Sequence, residues 1–480
     1  MILILLPLLP LAAALISSVP GGPVAARWAT LLSSVTALVV SVLSALAVAR
    51  LGRVAPVENL IGTDAMGALI LLLQAVLAVT ASLYSWGYVG REAAGDPTKE
   101  RRYYTHLNLF ITSLFLVPIL LQPALTWVAV ELTTLLSVFL VGFNQNGQGL
   151  EAAWKYAMIT IMGATVAVLG VLLLLFGLHQ VNPNLPQTWA SLASAAPHMS
   201  PAVLRLAFVL IVIGLGAKVG LFPLHTWLPD AHSQAPSPVC ALLSGVEVST
   251  VLYVILRLMP VFGSISGFPT YDWLIGLGLL SVGAAAFLLL QVHDYKRLLA
   301  YSTVEHMGII VTAIGFGQAG AYAGLYQIIT HGVAKSMAFY AAGAVLLLYN
   351  TRSIGEVRGL IKTSPFAGGM LLAAGLAIAG VPPFAVFLSE FSILKDGLAS
   401  GHAVEVLILA LFIAVAFIGV MLHIGRMVFG APNAEARPPR LPASVVGALS
   451  LSLLPVIALG VYMPPLVHRL LVLAAASISH

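Results

Sequence analysis

Ionisable side chains lie inside hydrophobic segments of this sequence, where a charge is costly. Lys218 lies in GLGAKVGLFPLHTW and Glu390 in GVPPFAVFLSEF, and glycine or proline interrupts both segments. A charge at the centre of a bilayer costs roughly 3 kcal/mol or more and usually marks a function. Interrupted helices at corresponding positions in a chain point to a transport pathway. The two segments therefore favour ion transport over conversion of a metabolite.

Glu131 and Lys218 are the first pair of candidate residues. Glu131 lies in TWVAVELTTLLSVFLVGF with no opposite charge within a helical turn, so its partner must come from another segment. We interpret it as a proton-binding carboxylate, the alternative being a structural ion pair between helices. A buried lysine responds to whether a carboxylate is near. For Lys218, the alternative is a side chain that extends to the membrane surface. We favour a function for both.

His331 and Lys335 in QIITHGVAKSMAFYAAG are four residues apart and share one helix face. Histidine titrates near physiological pH, so the pair could relay a proton across the membrane centre. Glu305 and His306 in YSTVEHMGII are adjacent and point in different directions. We expect one of them to line the path while the other packs.

Several further residues extend this candidate set. Glu247 lies in the middle of LLSGVEVSTVLYVILR, and Lys395 and Asp396 follow Glu390. The last two either connect a path to the outer face or are ordinary interfacial charges. The predicted proton-transfer residues are Glu131, Lys218, His225, Glu247, Glu305, His306, His331, Lys335, Glu390, Lys395 and Asp396. Glu151 and Lys155, also four apart, are instead predicted to form a surface salt bridge.

Composition places the whole chain in a membrane. Of its 480 residues, 60% are hydrophobic and 8% are charged, against about 25% charged in soluble domains. The net charge of +5 comes with no basic run interleaved with aromatics, which argues against nucleic acid as a partner. Cys240 is the single cysteine, so it has no internal disulfide partner. With no Cys/His cluster in the sequence, we expect no cofactor and no metal in this chain.

Hydrophobic runs predict an all-α integral membrane protein with about 14 transmembrane helices. The N-terminal run lacks the positive charges of a signal peptide, so we interpret it as the first span. We expect a loop or short interfacial helix at 179–201. The predicted spans are 1–19, 26–49, 64–90, 103–121, 124–143, 154–178, 202–224, 236–259, 271–291, 297–317, 321–349, 365–398, 403–429 and 441–472.

The distribution of Lys and Arg predicts the orientation. If every span crosses, 14 basic residues, including Arg437, fall on one side and six on the other. Cytoplasmic loops carry the excess of positive charge. Both termini are therefore predicted on the non-cytoplasmic side of the cell (inner) membrane.

Matched spacings suggest an internal repeat. Lys218 and Glu390 are 172 residues apart, and Glu131 and Glu305 are 174 apart. Each offset covers five spans, and an odd number of spans inverts the second copy. We therefore divide the chain into helices 1–3 (1–102), a first inverted repeat with helices 4–8 (103–259), a second with helices 9–13 (271–430) and helix 14 (441–480), with helices 7 and 12 broken.

Long motifs between residues 100 and 400 resemble a known family. VELTTLLSVFLVGF, KVGLFPLHTWLPDAHSQAPSPVCALLSG, DYKRLLAYSTVEHMGII and HGVAKSMAFYAAG are similar to antiporter-like subunits of complex I, Mrp-type cation/proton antiporters and group 4 membrane hydrogenases. EAAWKY, APSPVCALLSG and YSTVEHMGII are most similar to the hydrogenase-4 component F branch.

The resemblance implies 14 helices with a hydrated polar axis at mid-membrane. It implies that Glu131 of the fifth span pairs with Lys218 of the seventh. His331 and Lys335 match the polar pair of the eleventh span, and Glu390 matches the terminal charge of the twelfth. Relatives in complex I carry a lysine on the eighth span near Ser249, which this chain lacks. Either Glu247 or water fills that gap, or the relay runs differently.

Three hypotheses for function follow. The first is a non-catalytic, proton-pumping subunit of a redox-driven complex, of group 4 hydrogenase, formate hydrogenlyase or complex I-like type. Its partners would be other membrane subunits and a peripheral redox arm, and protons its coupling ion. The second is a subunit of an Mrp-type antiporter that exchanges Na+ for protons. The third is a structural membrane arm, against which the set of intramembrane charges argues.

Overall fold

Helices account for nearly all of the regular structure. The computed structural model describes residues 2–93, 95–431 and 440–478. The helices are α1 Leu5–Ser18, α2 Pro23–Leu51, α3 Ala65–Glu92, α4 Pro97–Leu116, α5 Pro123–Val141, α6 Gly147–Val181, α7 Trp189–Ala195, α8 Pro201–Val219, α9 Trp227–Gln234, α10 Ser237–Leu242, α11 Val248–Arg257, α12 Met259–Phe262, α13 Thr270–Leu289, α14 Tyr295–Gly315, α15 Gln318–Tyr349, α16 Leu360–Thr363, α17 Pro365–Ile378, α18 Ala385–Ala399, α19 Ala403–Phe429, α20 Ala443–Val461 and α21 Pro465–Ile478. A π-helical segment, Leu243–Glu247, joins α10 to α11, and short 3₁₀ segments lie at Ile2–Ile4, Val117–Ile119 and Ala196–His198.

The chain is a multi-pass membrane protein. Within the described ranges, eleven helices are long and apolar enough to cross a membrane, counting Ser237–Phe262 as one. Three shorter apolar helices lie at Ile2–Ser18, Pro365–Ile378 and Pro465–Ile478. The all-α membrane fold predicted from the sequence is confirmed.

The helices form an inner group surrounded by an outer group. In its most apolar window, Ser237–Phe262 is entirely buried, and α14 is 94% buried. In α19 and α20 the corresponding share is only 33%, so their remaining apolar side chains face the surroundings. Because the inner helices are shielded on every side, ionisable side chains on them depend on protein partners or internal water.

The two predicted helix breaks are present. The first lies between α8 and α9, where Gly220 has φ +84° and the Phe222–Pro223 peptide bond is cis. The second lies between α17 and α18, where Gly380 has φ +65° and the Pro382–Pro383 bond is cis. Glycine adopts this backbone conformation at no steric cost, and proline cannot continue the hydrogen-bonding of a helix.

Two elements differ from the prediction. The connection after α2 contains a hairpin, β1 Arg53–Val57 with β2 Ile61–Asp64, in which Arg53 pairs with Asp64. The single span predicted at 441–472 is wrong, because the chain forms two helices, α20 and α21. Pro464 and Pro465 separate them, since consecutive prolines remove two backbone donors. Arg437, predicted on a cytoplasmic loop, lies outside the described residues.

Loops predicted on one side of the membrane lie together. Asp230 after the first break forms ion pairs with Lys155 (3.2 Å) and Arg297 (2.7 Å), which belong to two other spans. Lys155 also pairs with Glu151 at 2.6 Å, the exposed salt bridge that the sequence predicted. The weakly apolar stretch 179–201 contains the short helix α7, as expected. The inverted relation between the two halves and the cellular side of each end stay predictions.

Candidate functional site

Lys218 lies fully buried in the last turn of α8. Its side chain is 1% exposed, and its Nζ donates to three acceptors of α5. These are Thr133 Oγ1 at 2.9 Å, Thr134 Oγ1 at 2.5 Å and the carbonyl oxygen of Val130. All three protons of an ammonium group therefore have acceptors, which is how a buried lysine can remain charged.

The ion-pair partner of Lys218 is Glu247. The distance from Lys218 Nζ to Glu247 Oε1 is 3.9 Å, and the two side chains are 1% and 2% exposed. The hydroxyl groups of Thr133 and Tyr156 each donate to the same carboxylate oxygen at 2.9 Å. Glu247 Oε2 is buried without a hydrogen-bond partner among the described residues. The carboxylate is thus bound on one oxygen only.

Glu131 and Lys218, the implied pair, interact electrostatically but form no ion pair within 4 Å. Among the described side chains Glu131 makes no ion pair within 4 Å, and its buried Oε1 has no hydrogen-bond partner. Glu131 comes three residues before Thr134, which accepts from Lys218, so it lies at the edge of the face of α5 that meets the lysine. It lies half-buried beside Val128 and Leu135, which are 52% and 51% exposed.

The π-helical segment determines which residues of the eighth span face the two halves of the site. It places Glu247 toward Lys218, while the carbonyl oxygen of Ser244 lies 3.0 Å from His331 Nε2. Single turns of π-helix often occur at functional sites. Ser249, where relatives have lysine, is buried and donates to the Gly245 carbonyl at 3.4 Å. Of the explanations for the lysine that is missing from the eighth span, this geometry favours its replacement by Glu247.

A second cluster surrounds Lys335 on α15. Lys335 is completely buried and donates to the Leu299 carbonyl oxygen at 3.2 Å and to Ser302 Oγ, both on α14. Glu305, one turn further along α14, interacts electrostatically with Lys335 and with Glu390. Lys335 thus interacts electrostatically with two carboxylates, and neither of them forms an ion pair with it within 4 Å.

Two histidines adjoin Lys335. The rings of His306 and His331 are 5.1 Å apart between centroids, and both are 0% exposed. His306 Nε2 lies 3.0 Å from the Ile378 carbonyl oxygen, next to the second helix break. His331 Nδ1 is buried and lacks a partner in the part of the chain that is described. Glu305 and His306 both interact electrostatically with Lys335, so neither is set apart from this cluster.

Glu390 closes the series on α18. Gln327 Nε2 lies 3.4 Å from His306 Nδ1, and the Gln327 side chain also interacts with the Glu390 carboxyl group. A Cβ atom on Gly380 would collide with Glu390 Oε2, so the break needs a glycine both for its positive φ and for space. Thr330 and Ser389 join α15 to α18 through a hydroxyl contact of 2.8 Å.

The two clusters meet where two helices approach closely. A Cβ atom on Gly245 would lie 2.9 Å from the Gly332 carbonyl oxygen, and one on Gly332 would lie 2.8 Å from that of Gly245. Small residues permit such approaches between membrane helices. This contact brings Ser244 against His331 and joins the first half of the site to the second.

Three predicted residues lie away from this line. His225 is 6% exposed in the first break, with its ring 5.7 Å from that of Phe222. Lys395 is exposed and Asp396 is half-buried near the end of α18. The structure shows no contact between these last two and Glu390, so their place in a path stays a prediction.

The prediction from the sequence missed two buried groups, His232 and Lys296, and the half-buried Glu92 near the end of the bundle that holds Asp230. His232 is 0% exposed, and neither ring nitrogen has a hydrogen-bond partner within the described ranges. Lys296 is 1% exposed and donates to the Ala235 carbonyl oxygen at 2.5 Å. A cavity of about 700 Å3 is lined by Lys296 and by Glu92, whose Oε1 accepts from Asn144 at 2.7 Å. In the sequence Lys296 is one of many loop charges, and its neighbours give no sign that it is buried.

The arrangement can perform acid–base chemistry. Ionisable groups extend from Glu131 at the side of the bundle, through its centre, to Glu390, and they include carboxylates as well as amine and imidazole groups. Among the described residues, no three His, Cys, Asp or Glu side chains are grouped closely enough to hold a metal ion.

Comparison with known proteins places this geometry in a family. Residues 123–418 match the family described as NADH:quinone oxidoreductase/Mrp antiporter, transmembrane. The hydrogenase-4 component F homolog of Methylacidiphilum infernorum is 34% identical over 412 residues, which cover 84% of this chain and 85% of that protein.

Solved structures show the same fold. A chain of the membrane-bound sulfane sulfur reductase, an archaeal respiratory membrane complex, matches with a TM-score of 0.88 and 25% identity, covering 99% of this chain and 97% of that one. A chain of the Mrp complex from Dietzia sp. DQ12-45-1b matches with a TM-score of 0.87 and 20% identity, covering 100% of this chain and 97% of that one. The protein described here therefore belongs to the NADH:quinone oxidoreductase/Mrp antiporter family and is an antiporter-like membrane subunit.

Proposed function

We propose that the chain translocates protons as a subunit of a redox-driven membrane complex of the group 4 hydrogenase type. The observation that carries the proposal is the series of buried ionisable groups across the bundle centre: Lys218, Glu247, His306, His331, Lys335, Glu305 and Glu390. Such groups are rare in membranes and usually line proton paths. The similarity to the hydrogenase-4 component F homolog of Methylacidiphilum infernorum supports this type of complex.

Lys218 is the proposed switch. It is held by Glu247 at 3.9 Å, while Glu131 lies beyond 4 Å on the adjoining face of α5. A movement that brings Glu131 nearer strengthens the charged form of Lys218, and its withdrawal favours release of the proton. The energy of the redox partner would drive this movement.

The released proton would pass from the first cluster to the second. Glu247 Oε2 and His331 Nδ1 are both buried and have no partner among the described residues. Buried polar atoms of this kind are usually bonded to internal water, which can conduct a proton between them. From His331 the proposed path continues to Lys335 on the same helix face and then to Glu390.

Glu131 also indicates where a partner subunit binds. The face of α5 beside it carries Val128, Leu135 and Phe139, which are 52%, 51% and 62% exposed. A half-buried carboxyl group facing lipid is costly, so we propose that a neighbouring membrane subunit covers it and supplies its partner. A peripheral redox arm would couple to this chain through that neighbour.

The end of the bundle with Lys296 is the proposed cytoplasmic side of the cell inner membrane, with both termini on the opposite side. The excess of basic residues supports this orientation. Protons would enter through the cavity beside Glu92 and Lys296 and reach His232, which influences His331 electrostatically.

A second candidate function is exchange of Na+ for protons. The observation that favours it is the match of the whole chain to a chain of the Mrp complex. In that case the same buried groups would serve an antiporter, and Na+ would replace redox energy as the driving partner. A sodium-dependent pH change in vesicles would distinguish the two.

Purification of a tagged chain in mild detergent tests the proposed complex. Mass spectrometry should find a nickel–iron hydrogenase-like large subunit and iron–sulfur proteins. Recovery of small membrane subunits only would contradict the redox-driven proposal and support the antiporter.

Two substitutions test the proposed switch within the assembled complex. Glu131→Gln and Lys218→Met should each abolish proton transport into vesicles while the subunits still co-purify. Glu151→Gln is the matched control, because Glu151 forms an exposed salt bridge and should leave transport unchanged. Retained pumping in both test variants would rule out this mechanism.

A further inference from the structure

A basic pocket of about 410 Å3 lies at the end of the bundle that holds Lys296, outside the ion pathway. Three segments form it: the loop after α13, the loop after α15 and the C-terminal end of α19. Four of its lining residues are basic or imidazole side chains, namely His293, Arg358, His423 and Arg426. None of the described lining residues carries a carboxyl group, in contrast to the neighbouring cavity with Glu151 and Asp230.

The pocket is held in shape by backbone contacts. The loops after α13 and α15 are joined by hydrogen bonds from Ile354 N to the His293 carbonyl oxygen at 2.8 Å and from Tyr295 N to the Arg352 carbonyl oxygen at 3.1 Å. Arg358 Nε donates to the Gly355 carbonyl oxygen at 3.0 Å. Within the described residues the terminal guanidinium nitrogens of Arg358 have no hydrogen-bond partner, and the Nε contact sets the direction of the side chain.

One polar atom inside the pocket has no partner. His423 is 7% exposed, and its Nε2 is buried without a hydrogen-bond partner in the described part of the chain. Leaving such a buried atom unpaired is unfavourable. A ligand oxygen at this position would pair with it.

The pocket opens beside an apolar strip of α19. Ile418, Leu422 and Arg426 are spaced four apart on one helix face, and the first two are 57% and 43% exposed. Phe429, one turn beyond Arg426, is 61% exposed. A molecule bound to the two arginines would thus have an acidic head at the pocket and an apolar tail along α19.

We propose that this pocket binds the phosphate group of an anionic phospholipid. Arginine binds phosphate through parallel hydrogen bonds, and basic pockets between membrane helices on the cytoplasmic side attract acidic head groups. Free phosphate shares the head-group chemistry, but only a lipid also uses the apolar strip. The pocket lies outside the ion pathway, so a failed test of lipid binding does not contradict the proposed function. A failed test of proton transport likewise does not contradict lipid binding.

Native mass spectrometry of the protein released from nanodiscs of mixed phosphatidylglycerol and phosphatidylcholine tests the proposal. The wild-type protein should retain one more phosphatidylglycerol molecule than the double variant Arg358→Gln/Arg426→Gln. The two proteins should retain phosphatidylcholine equally. Arg50→Gln/Lys362→Gln removes two other exposed basic side chains and should behave as wild type. Equal retention by all three proteins would overturn the site.

A stability measurement distinguishes lipid from free anion. Phosphatidylglycerol added to the detergent-solubilised protein should raise its Tm more than phosphatidylcholine does, and the double arginine variant should lose the difference. His423→Gln provides a second, smaller change at the same pocket. If inorganic phosphate raised the Tm as much as phosphatidylglycerol, a free anion would be the ligand and the lipid assignment would be wrong.

Discussion

The ion pair between Lys218 and Glu247 makes a sharp prediction about stability, because sequence resemblance implied a different partner. Glu247→Gln keeps an oxygen that can accept from Thr133 and Tyr156 but removes the negative charge. Lys218 is then left buried with a full charge. Two unit charges 3.9 Å apart attract by about 4 kcal/mol at an effective dielectric constant of about 20. Removal of one partner from a buried pair costs about 3–5 kcal/mol.

Glu131→Gln should cost far less. Among the described residues Glu131 forms no ion pair within 4 Å, and its side chain is half-buried rather than enclosed. We expect a loss below about 1 kcal/mol, the range of ion pairs outside the core. Glu247→Gln and Lys218→Met together should cost less than the sum of the single changes, with a coupling of about 1–3 kcal/mol.

Unfolding in mixed micelles of dodecylmaltoside and SDS measures these free energies. Cys240 is the only cysteine and is 0% exposed, so a thiol-reactive dye reports unfolding without an added label. The pairing in the structure would be refuted if Glu131→Gln were as destabilising as Glu247→Gln, or if Lys218→Met coupled to Glu131→Gln and not to Glu247→Gln.

Three other changes test the packing around the site. Gly380→Ala should cost about 1–2 kcal/mol for its backbone conformation alone and more for the clash with Glu390, as measured by unfolding; a neutral result would contradict the tight break. Gly332→Val should force α15 away from the π-helical segment and cost about 1–3 kcal/mol, whereas Gly276→Ala, with open space around it, should cost nothing. His331→Leu should leave the unfolding midpoint close to that of the wild type but block proton transport by the assembled complex; unchanged transport would remove His331 from the path.

Much of the fold could be predicted from the sequence because membrane spans have a strong signal. Long apolar runs define most helices, and the breaks at Gly220 and Gly380 follow from glycine and proline chemistry. The hairpin of β1 and β2 was missed because its strands are short and lie between two strongly helical segments. The C-terminal span was predicted as one helix because the apolar run continues across Pro464 and Pro465.

The site was predicted less completely than the fold. Charge type alone identified Lys218, Lys335 and Glu390 as buried. The pairing of Lys218 with Glu247 depends on the direction of side chains on α5 and on a π-helical segment, and neither leaves a mark in residue spacing. In the sequence His232 is one of several polar residues that follow the first helix break. Only the packed structure shows that it is enclosed.

Proton transport by the assembled complex with Lys335→Met tests the central claim most directly. Lys335 is completely buried at the middle of the proposed path, and the exposed Lys362, changed to Met in the same way, is the control. The complex, purified through this chain and reconstituted in liposomes, would be driven by the electron donor of its redox subunits, with a pH-sensitive dye as the readout. We predict that the complex with Lys335→Met no longer acidifies the liposomes, although its subunits remain assembled. The complex with Lys362→Met should acidify them normally. Wild-type proton transport by Lys335→Met would contradict the central claim.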